Sequence, residues 1–180
     1  MKIIDTGIEG LLLIQPKAFG DSRGYFMESY QAERYREVGI TVDFVQDNVS
    51  RSQKGVLRGL HFQRQQAQDK LVMVTRGQVY DVAVDLRPGS PTFGRAYGVI
   101  LNDANHLQLF IPKGFAHGFY VMQEGTDFCY KCSDYYAPEF ETGLLWNDPD
   151  LHINWPIDPH ETPIISAKDQ VLPRFKDFRL

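Results

Sequence analysis

Short apolar runs, each closed by Gly, Pro, Asn or Asp, follow one another through the middle of this chain with no helical period between them. Leu71-Val72-Met73-Val74-Thr75 stops at Arg76-Gly77, and Val79 to Leu86 then alternates cleanly. In that second run Tyr80, Val82, Val84 and Leu86 line one face of a strand, while Asp81 and Asp85 share the other. Ala96 to Leu101, Leu107 to Ile111, Gly118 to Met122 and Thr126 to Lys131 predict four more strands. Arg87-Pro88-Gly89-Ser90-Pro91, Asn102-Asp103-Ala104-Asn105 and Gln123-Glu124-Gly125 supply the turns. Even spacing of this kind argues for an all-β sandwich or barrel rather than a parallel sheet.

The ends of the chain are less regular. Residues 10–15 and 25–30 flank Phe19-Gly20-Asp21-Ser22-Arg23-Gly24 and predict a hairpin with a wide loop. Gln31 to Val38 is the best helix candidate, with Gly39 as the residue that ends it. Repeated prolines make residues 147–165 irregular coil, and Ser166-Ala167-Lys168-Asp169-Gln170 starts a short helix that packs on the barrel.

With 180 residues, and neither repeat nor linker, the expectation is one domain spanning 1–180. A net charge of −4 argues against a nonspecific nucleic-acid surface. The apolar run Leu11 to Ile14 is too short for a signal core or a membrane span, so the cytoplasm is the expected location. Cys129 and Cys132 have Cys-x-x-Cys spacing, but a strand puts i and i+3 on opposite faces, and no second pair completes a zinc site. They are expected to be structural thiols.

Two stretches carry candidate chemistry. Arg58-Gly59-Leu60-His61-Phe62-Gln63 is echoed by Pro112-Lys113-Gly114-Phe115-Ala116-His117, and together they resemble the two halves of a cupin metal site. The first half is incomplete: Gln63 stands where a second histidine would be, and no matching Glu follows. His61 and His117 alone fall short of a three-ligand set, so no metal is expected. A histidine in a strand is ordinarily a packing residue. Arg58 and Lys70 lift His61 above that, since nearby cations favour the neutral imidazole that accepts a proton. A general base also needs an acceptor to orient it, and Asp47, Asp81, Asp85 and Asp169 are all candidates. Arg58 and His61 are separated by an odd number of residues, and Gly59 permits a bulge that turns both toward one cavity. Tyr130 shares a strand face with Phe128 and Cys132 and can serve as an acid if cationic neighbours lower its pKa. Arg23, Arg51, Arg58, Lys54, Lys70 and Lys168 are a set of cations suited to a phosphate or diphosphate, although no Walker-type or dinucleotide-binding glycine pattern is present.

Taken in order, several of these stretches resemble the dTDP-4-dehydrorhamnose 3,5-epimerase family of cupin-fold nucleotide-sugar epimerases. The matching pieces are Phe19 to Gly24, Phe44-Val45-Gln46-Asp47-Asn48, Gly55 to Gln63, Gly89 to Gly94, Ile111 to Phe119, Tyr130 to Glu139 and Ser166 to Asp169. The resemblance implies a cupin-type double-stranded β-helix, or jelly-roll barrel, with a few short helices, and a homodimer with N-terminal strands exchanged or packed between subunits. It implies His61 as base, Asp169 as its orienting carboxylate, Tyr130 as the opposite-face acid and Lys70 as the cation on the enolate oxygen. It further implies that Arg23, Glu28, Gln46, Asp47, Asn48, Arg58, His117, Glu141 and Lys168 bind the substrate, with Phe19 and Tyr136 (or Tyr135) near the base. The implied substrate is a dTDP-4-keto-6-deoxyhexose, with no cofactor. Inversion at C3 and C5 is the expected activity; C3-only epimerisation is the alternative, and a metal-dependent or a noncatalytic cupin is less favoured. One departure is Gln63-Arg64-Gln65-Gln66-Ala67-Gln68-Asp69-Lys70, which lacks the proline common before Ala-Gln-x-Lys but keeps the lysine.

Overall fold

The computed structural model describes residues 1–178, and its regular secondary structure is mostly strand. In chain order these are β1 (Lys2–Asp5), β2 (Leu12–Gln15), β3 (Ala18–Asp21), β4 (Gly24–Met27), β5 (Gln46–Ser52), β6 (Val56–Gln63) and β7 (Lys70–Arg76). They continue with β8 (Gln78–Asp85), β9 (Ala96–Asn102), β10 (Gln108–Ile111), β11 (Phe115–Val121), β12 (Thr126–Cys132), β13 (Glu141–Gly143) and β14 (Ile164–Ile165). Two short helices, α1 (Ala32–Glu37) and α2 (Ala167–Gln170), lie outside the barrel. One sheet runs β1-β2-β10-β7-β12-β5 and the other β13-β6-β11-β8-β9, with β14 added beside β6. The sheets face each other as the jelly-roll barrel expected of the sequence.

The apolar core between the sheets draws on both, with Leu13, Val72, Val74, Leu109 and Phe128 meeting Val79, Ala83, Phe119 and Val121. The alternation in β8 therefore points Val79, Asp81, Ala83 and Asp85 inward. Its other face, Tyr80, Val82, Val84 and Leu86, points away from the barrel and is still largely buried. It is covered by the irregular C-terminal segment, whose Leu144, Leu151, Trp155 and Phe178 pack against it. On the first sheet α1 plays a similar part, with Tyr35 and the following Ile40 packing on Ile14, Leu71 and Phe110.

The expected hairpin is smaller than the sequence suggested. Residues 12–15 pair with β1 and β10, because Leu13 and Ile14 are both taken into apolar clusters on the two faces of the sheet. Only β3 and β4 form the hairpin. Its turn at Ser22-Arg23 is closed by the Asp21 carboxylate, which accepts the Arg23 N–H at 2.8 Å. The 31–38 helix is present as α1, capped by the Gln31 side chain, and Gly39 follows it at φ 96°.

Candidate active site

One end of the space between the sheets is polar, and β6 supplies its central residues through a local irregularity. Pairing between β6 and β11 shifts from His61 opposite His117 to Arg58 opposite Phe119, so three steps along β6 match two along β11. Gly59 absorbs the extra residue at φ 109°, and a Cβ there would stand 2.6 Å from the Gly118 Cα. Only glycine fits so close an approach. The bulge turns Arg58 and His61 to the same cavity, as the spacing around Gly59 allowed.

The cavity has two adjoining lobes of about 320 and 510 Å³, and His61, Lys70, His117 and Tyr130 line both. Gln46, Asn48, Tyr136 and Glu141 also line the smaller lobe; Arg58, Lys168 and Asp169 also line the larger. Lys70 and Tyr130 come from β7 and β12 of one sheet, while His61 and His117 come from β6 and β11 of the other.

Of the four carboxylates that could orient His61, the structure selects Asp169. His61 Nε2 is 2.7 Å from Asp169 Oδ1, and Asp169 Oδ2 accepts the Gly59 N–H at 3.1 Å. Ser166 caps α2 by accepting the Asp169 N–H, which fixes the carboxylate at the cavity wall. Burial pushes the Asp169 carboxyl up, but the hydrogen bonds from His61 and Gly59 outweigh it and hold the group below the ordinary aspartate value, hence ionised. With Nε2–H held by Asp169, His61 Nδ1 keeps its lone pair free for a proton. The other three carboxylates are engaged elsewhere: Asp81 with His117, Asp85 with Arg87, and Asp47 with Lys131.

Lys70 is half-buried and its ammonium has no hydrogen bond or ion pair among the described residues. Burial pushes its pKa down, opposed by the fields of Cys132, Glu141 and Asp81. The Tyr130 hydroxyl likewise has no hydrogen-bond partner among the described residues, and its pKa differs from the expectation. Burial raises it, and the lowering by Arg58 is too small to reverse this. A raised value keeps the phenol protonated, which suits a proton donor. Beside them, Glu141 binds Lys168 and accepts the Tyr136 hydroxyl at 2.9 Å, and these contacts overcome burial to hold Glu141 ionised.

A family model described as dTDP-4-dehydrorhamnose 3,5-epimerase matches residues 5–177. The dTDP-4-dehydrorhamnose 3,5-epimerase of Pseudomonas aeruginosa PAO1 is 51% identical over 178 residues, covering 98% of this chain and 97% of the relative. The chain belongs to the dTDP-4-dehydrorhamnose 3,5-epimerase family. Among solved structures, the dTDP-6-deoxy-D-glucose-3,5-epimerase of Legionella pneumophila Philadelphia 1, in complex with dTDP-4-keto-L-rhamnose, superposes with a TM-score of 0.95. It is 56% identical, and the match covers 99% of this chain and 94% of that one. The dTDP-4-dehydrorhamnose 3,5-epimerase of Bacillus anthracis, with TDP and PPi bound, gives a TM-score of 0.92 at 48% identity, covering 96% and 98%.

Four expected substrate-binding residues of this epimerase-family chain lie away from its cavity. Asp47 departs because β5 alternates: Gln46 and Asn48 face inward, so Asp47 faces outward, where Lys131 Nζ approaches it at 2.9 Å. Phe19 and Arg23 sit on the β3–β4 hairpin, with Arg23 paired to Asp21 in the open. Glu28 follows that hairpin and pairs with Arg34. Both tyrosines are exposed, but only Tyr136 lines the cavity.

Gln63, at the place of the missing metal ligand, has its amide committed to the neighbouring loops. Its Nε2 donates to the Gln66 and Tyr135 carbonyls, and its Oε1 accepts the Ala137 N–H. Among the described residues, no three His, Cys, Asp or Glu side chains gather as metal ligands. Phe62, Gln68, Ile111 and Phe115 also line the smaller lobe and were not singled out from the sequence. Phe115 lies inside the Pro112–His117 motif, and its two-residue spacing from His117, which puts both on one face of a strand, was the available signal. Cys129 and Cys132 face opposite sides of β12 and are free, with Cys132 at the cavity beside Lys70.

Proposed function

We propose that this chain, acting as one domain, catalyses epimerisation at C3 and C5 of dTDP-4-dehydro-6-deoxy-D-glucose to give dTDP-4-dehydro-L-rhamnose. The observation that carries the proposal is the origin of the two proton-handling groups on opposite sheets: His61 with Asp169 on one side, Tyr130 on the other. C3 and C5 both flank the C4 ketone, so their protons are the acidic ones. His61 removes such a proton, and the charge passes to the C4 oxygen as an enolate. Lys70, an ammonium with no ion pair among the described residues, stabilises that oxygen, a contact generally worth about 3 kcal/mol of transition-state energy. Tyr130 then delivers a proton to the opposite face, which inverts the centre. The base alone would return the proton to the face it came from.

Gln46, Asn48, Arg58, His117, Glu141 and Lys168 hold the nucleotide sugar around this axis, with Arg58 suited to the diphosphate through forked hydrogen bonds. Tyr136 offers a ring near the base. The chemistry draws on no metal or redox cofactor. Phe19, Arg23 and Glu28 reach a cavity by assembly of a homodimer, in which the N-terminal strands are exchanged or packed between subunits. The exposure of Phe19, Tyr25 and Phe26 on one small hairpin supports this arrangement, since such aromatics favour burial. Among the described residues no helix is long and apolar enough to cross a membrane, and the proposed site of action is the cytoplasm.

Incubation of the protein with the 4-keto sugar in deuterium oxide, followed by NMR, tests the proposal. Deuterium at both C3 and C5 with inversion at each is expected. Exchange confined to C3 would replace the double epimerase with the C3-only alternative.

A further inference from the structure

His61 and Asp169 have a counterpart one strand away. His117 is the direct cross-strand neighbour of His61, and its Nε2 is 2.9 Å from Asp81 Oδ2. The four groups make two imidazole–carboxylate pairs side by side, with the histidines adjacent. The pairs differ in burial. His61 is 26% exposed, whereas the His117 side chain is 8% exposed and Asp81 is wholly enclosed. Both oxygens of Asp169 have partners, but Asp81 Oδ1 is buried with no hydrogen-bond partner among the described residues.

A carboxylate with an empty oxygen in a solvent-free site is costly, and fold stability does not account for it. Asp81 shares its strand face with Val79 and Ala83, where an apolar side chain would be the stable choice. Polar groups that break such a local rule are expected where function requires them. We propose that Asp81 is a positioning residue for the epimerisation, holding the Nε2–H of His117 so that Nδ1 is presented to the hexose beside His61. This inference rests on the epimerase function proposed above. Phe128 stacks on the His117 ring at 6.0 Å between centroids and Phe119 lies 6.4 Å away, contacts that restrain the plane of the ring but do not choose between its two orientations. The carboxylate chooses between them. Asp81 is also among the charges that hold up the protonation of Lys70, so the same group acts on both cavity residues from its wall.

The test uses the full chain with Asp81→Val and Asp81→Asn, read by steady-state kinetics on the 4-keto sugar, thermal melting and side-chain ¹⁵N NMR of His117. Asp81→Val removes an empty buried oxygen but leaves the His117 Nε2–H without its acceptor, so it should stay folded with a melting temperature close to that of wild type. Its kcat should fall about a hundredfold with KM within about threefold, the range expected when a reacting geometry is lost rather than binding. His117 should pass from one tautomer to a mixture. Asp81→Asn retains an oxygen for the Nε2–H and should recover about tenfold of the lost kcat. Wild-type kcat in Asp81→Val with an unchanged His117 tautomer would overturn the proposal. So would a loss of activity that merely tracks the loss of folded protein in both variants. A wild-type protein that leaves the sugar unchanged would instead overturn the epimerase function, and the tautomer measurement on the free protein separates the two failures.

Discussion

Lys70→Met should make the protein more stable and nearly inactive. The Lys70 ammonium is half-buried in a lobe that Ile111, Phe115 and Tyr130 also line, and among the described residues it makes no hydrogen bond or ion pair, feeling Glu141 and Asp81 only at longer range. Methionine keeps the length of the aliphatic stem and fills irregular apolar space, so the substitution removes the charge with little change in packing. Taking an unpartnered polar group out of such a site generally returns about 1–2 kcal/mol. For a chain of this size each 1 kcal/mol moves Tm by about 2–4 °C, so a rise of about 2–8 °C is expected at neutral pH. Because the folded-state pKa of Lys70 lies below its ordinary value of 10.5, wild type carries this penalty in full below the lowered value. The advantage of the variant should therefore shrink as pH rises through the lowered value toward 10.5. Activity should move the other way. Loss of the group proposed to face the enolate oxygen should cost about 10²–10³ in kcat, and the alkaline limb of the wild-type rate should begin below the ordinary lysine range. Differential scanning calorimetry and steady-state kinetics read both effects. A variant that melts lower than wild type, or one that keeps wild-type kcat, would refute the placement of Lys70 as an unpaired charge awaiting substrate.

Asp169→Asn should lower kcat about 10²–10⁴-fold at nearly constant KM, because the amide no longer fixes which His61 nitrogen carries the proton; kinetics with ¹⁵N NMR of His61 checks it. Gly59→Ala should lower both Tm and kcat, since a Cβ there meets the Gly118 backbone at 2.6 Å and forces the bulge that aligns Arg58 with His61 to move. Asp85→Asn should destabilise the fold by about 3 kcal/mol or more, because the enclosed carboxylate ties Arg87, Ser90 and Thr92 into one loop. Burial raises the Asp85 pKa, but those hydrogen bonds carry it well below the usual carboxylate range. Its stabilisation is thus complete above the unfolded value of about 3.9 and fades as pH falls from there toward the folded one. Acid titration of Tm should show a steeper decline in wild type than in the variant.

The strands from β7 to β12 were legible because one face of each is apolar and punctuated by turn residues. β5 was not, because its inward residues Gln46, Asn48, Ser50 and Ser52 face the polar end of the barrel and leave no hydrophobic alternation to detect. The same blindness affects Asp81: nothing in the alternation of β8 marks its acidic face as the interior one, since its apolar face is buried by a C-terminal segment far away in the chain. His61 and its bulge could be anticipated from Gly59, but the choice of Asp169 among four carboxylates depended on α2 returning to β6 from more than a hundred residues away, as the Ser166 cap requires. Motif order placed Asp47 with Gln46 and Asn48. Strand alternation, a simpler rule, puts it outside. Phe19, Arg23 and Glu28 were out of reach for a different reason, because a single chain does not bring them to its own cavity.

The central claim is that base and acid work from opposite faces of one sugar. The most direct test compares His61→Asn with Tyr130→Phe in deuterium oxide, following label uptake and configuration at C3 and C5 in the same NMR spectra. His61→Asn should show neither uptake nor inversion at either carbon, while Tyr130→Phe should still exchange some protons with retained configuration. Full inversion by Tyr130→Phe, or continued exchange by His61→Asn, would contradict the account.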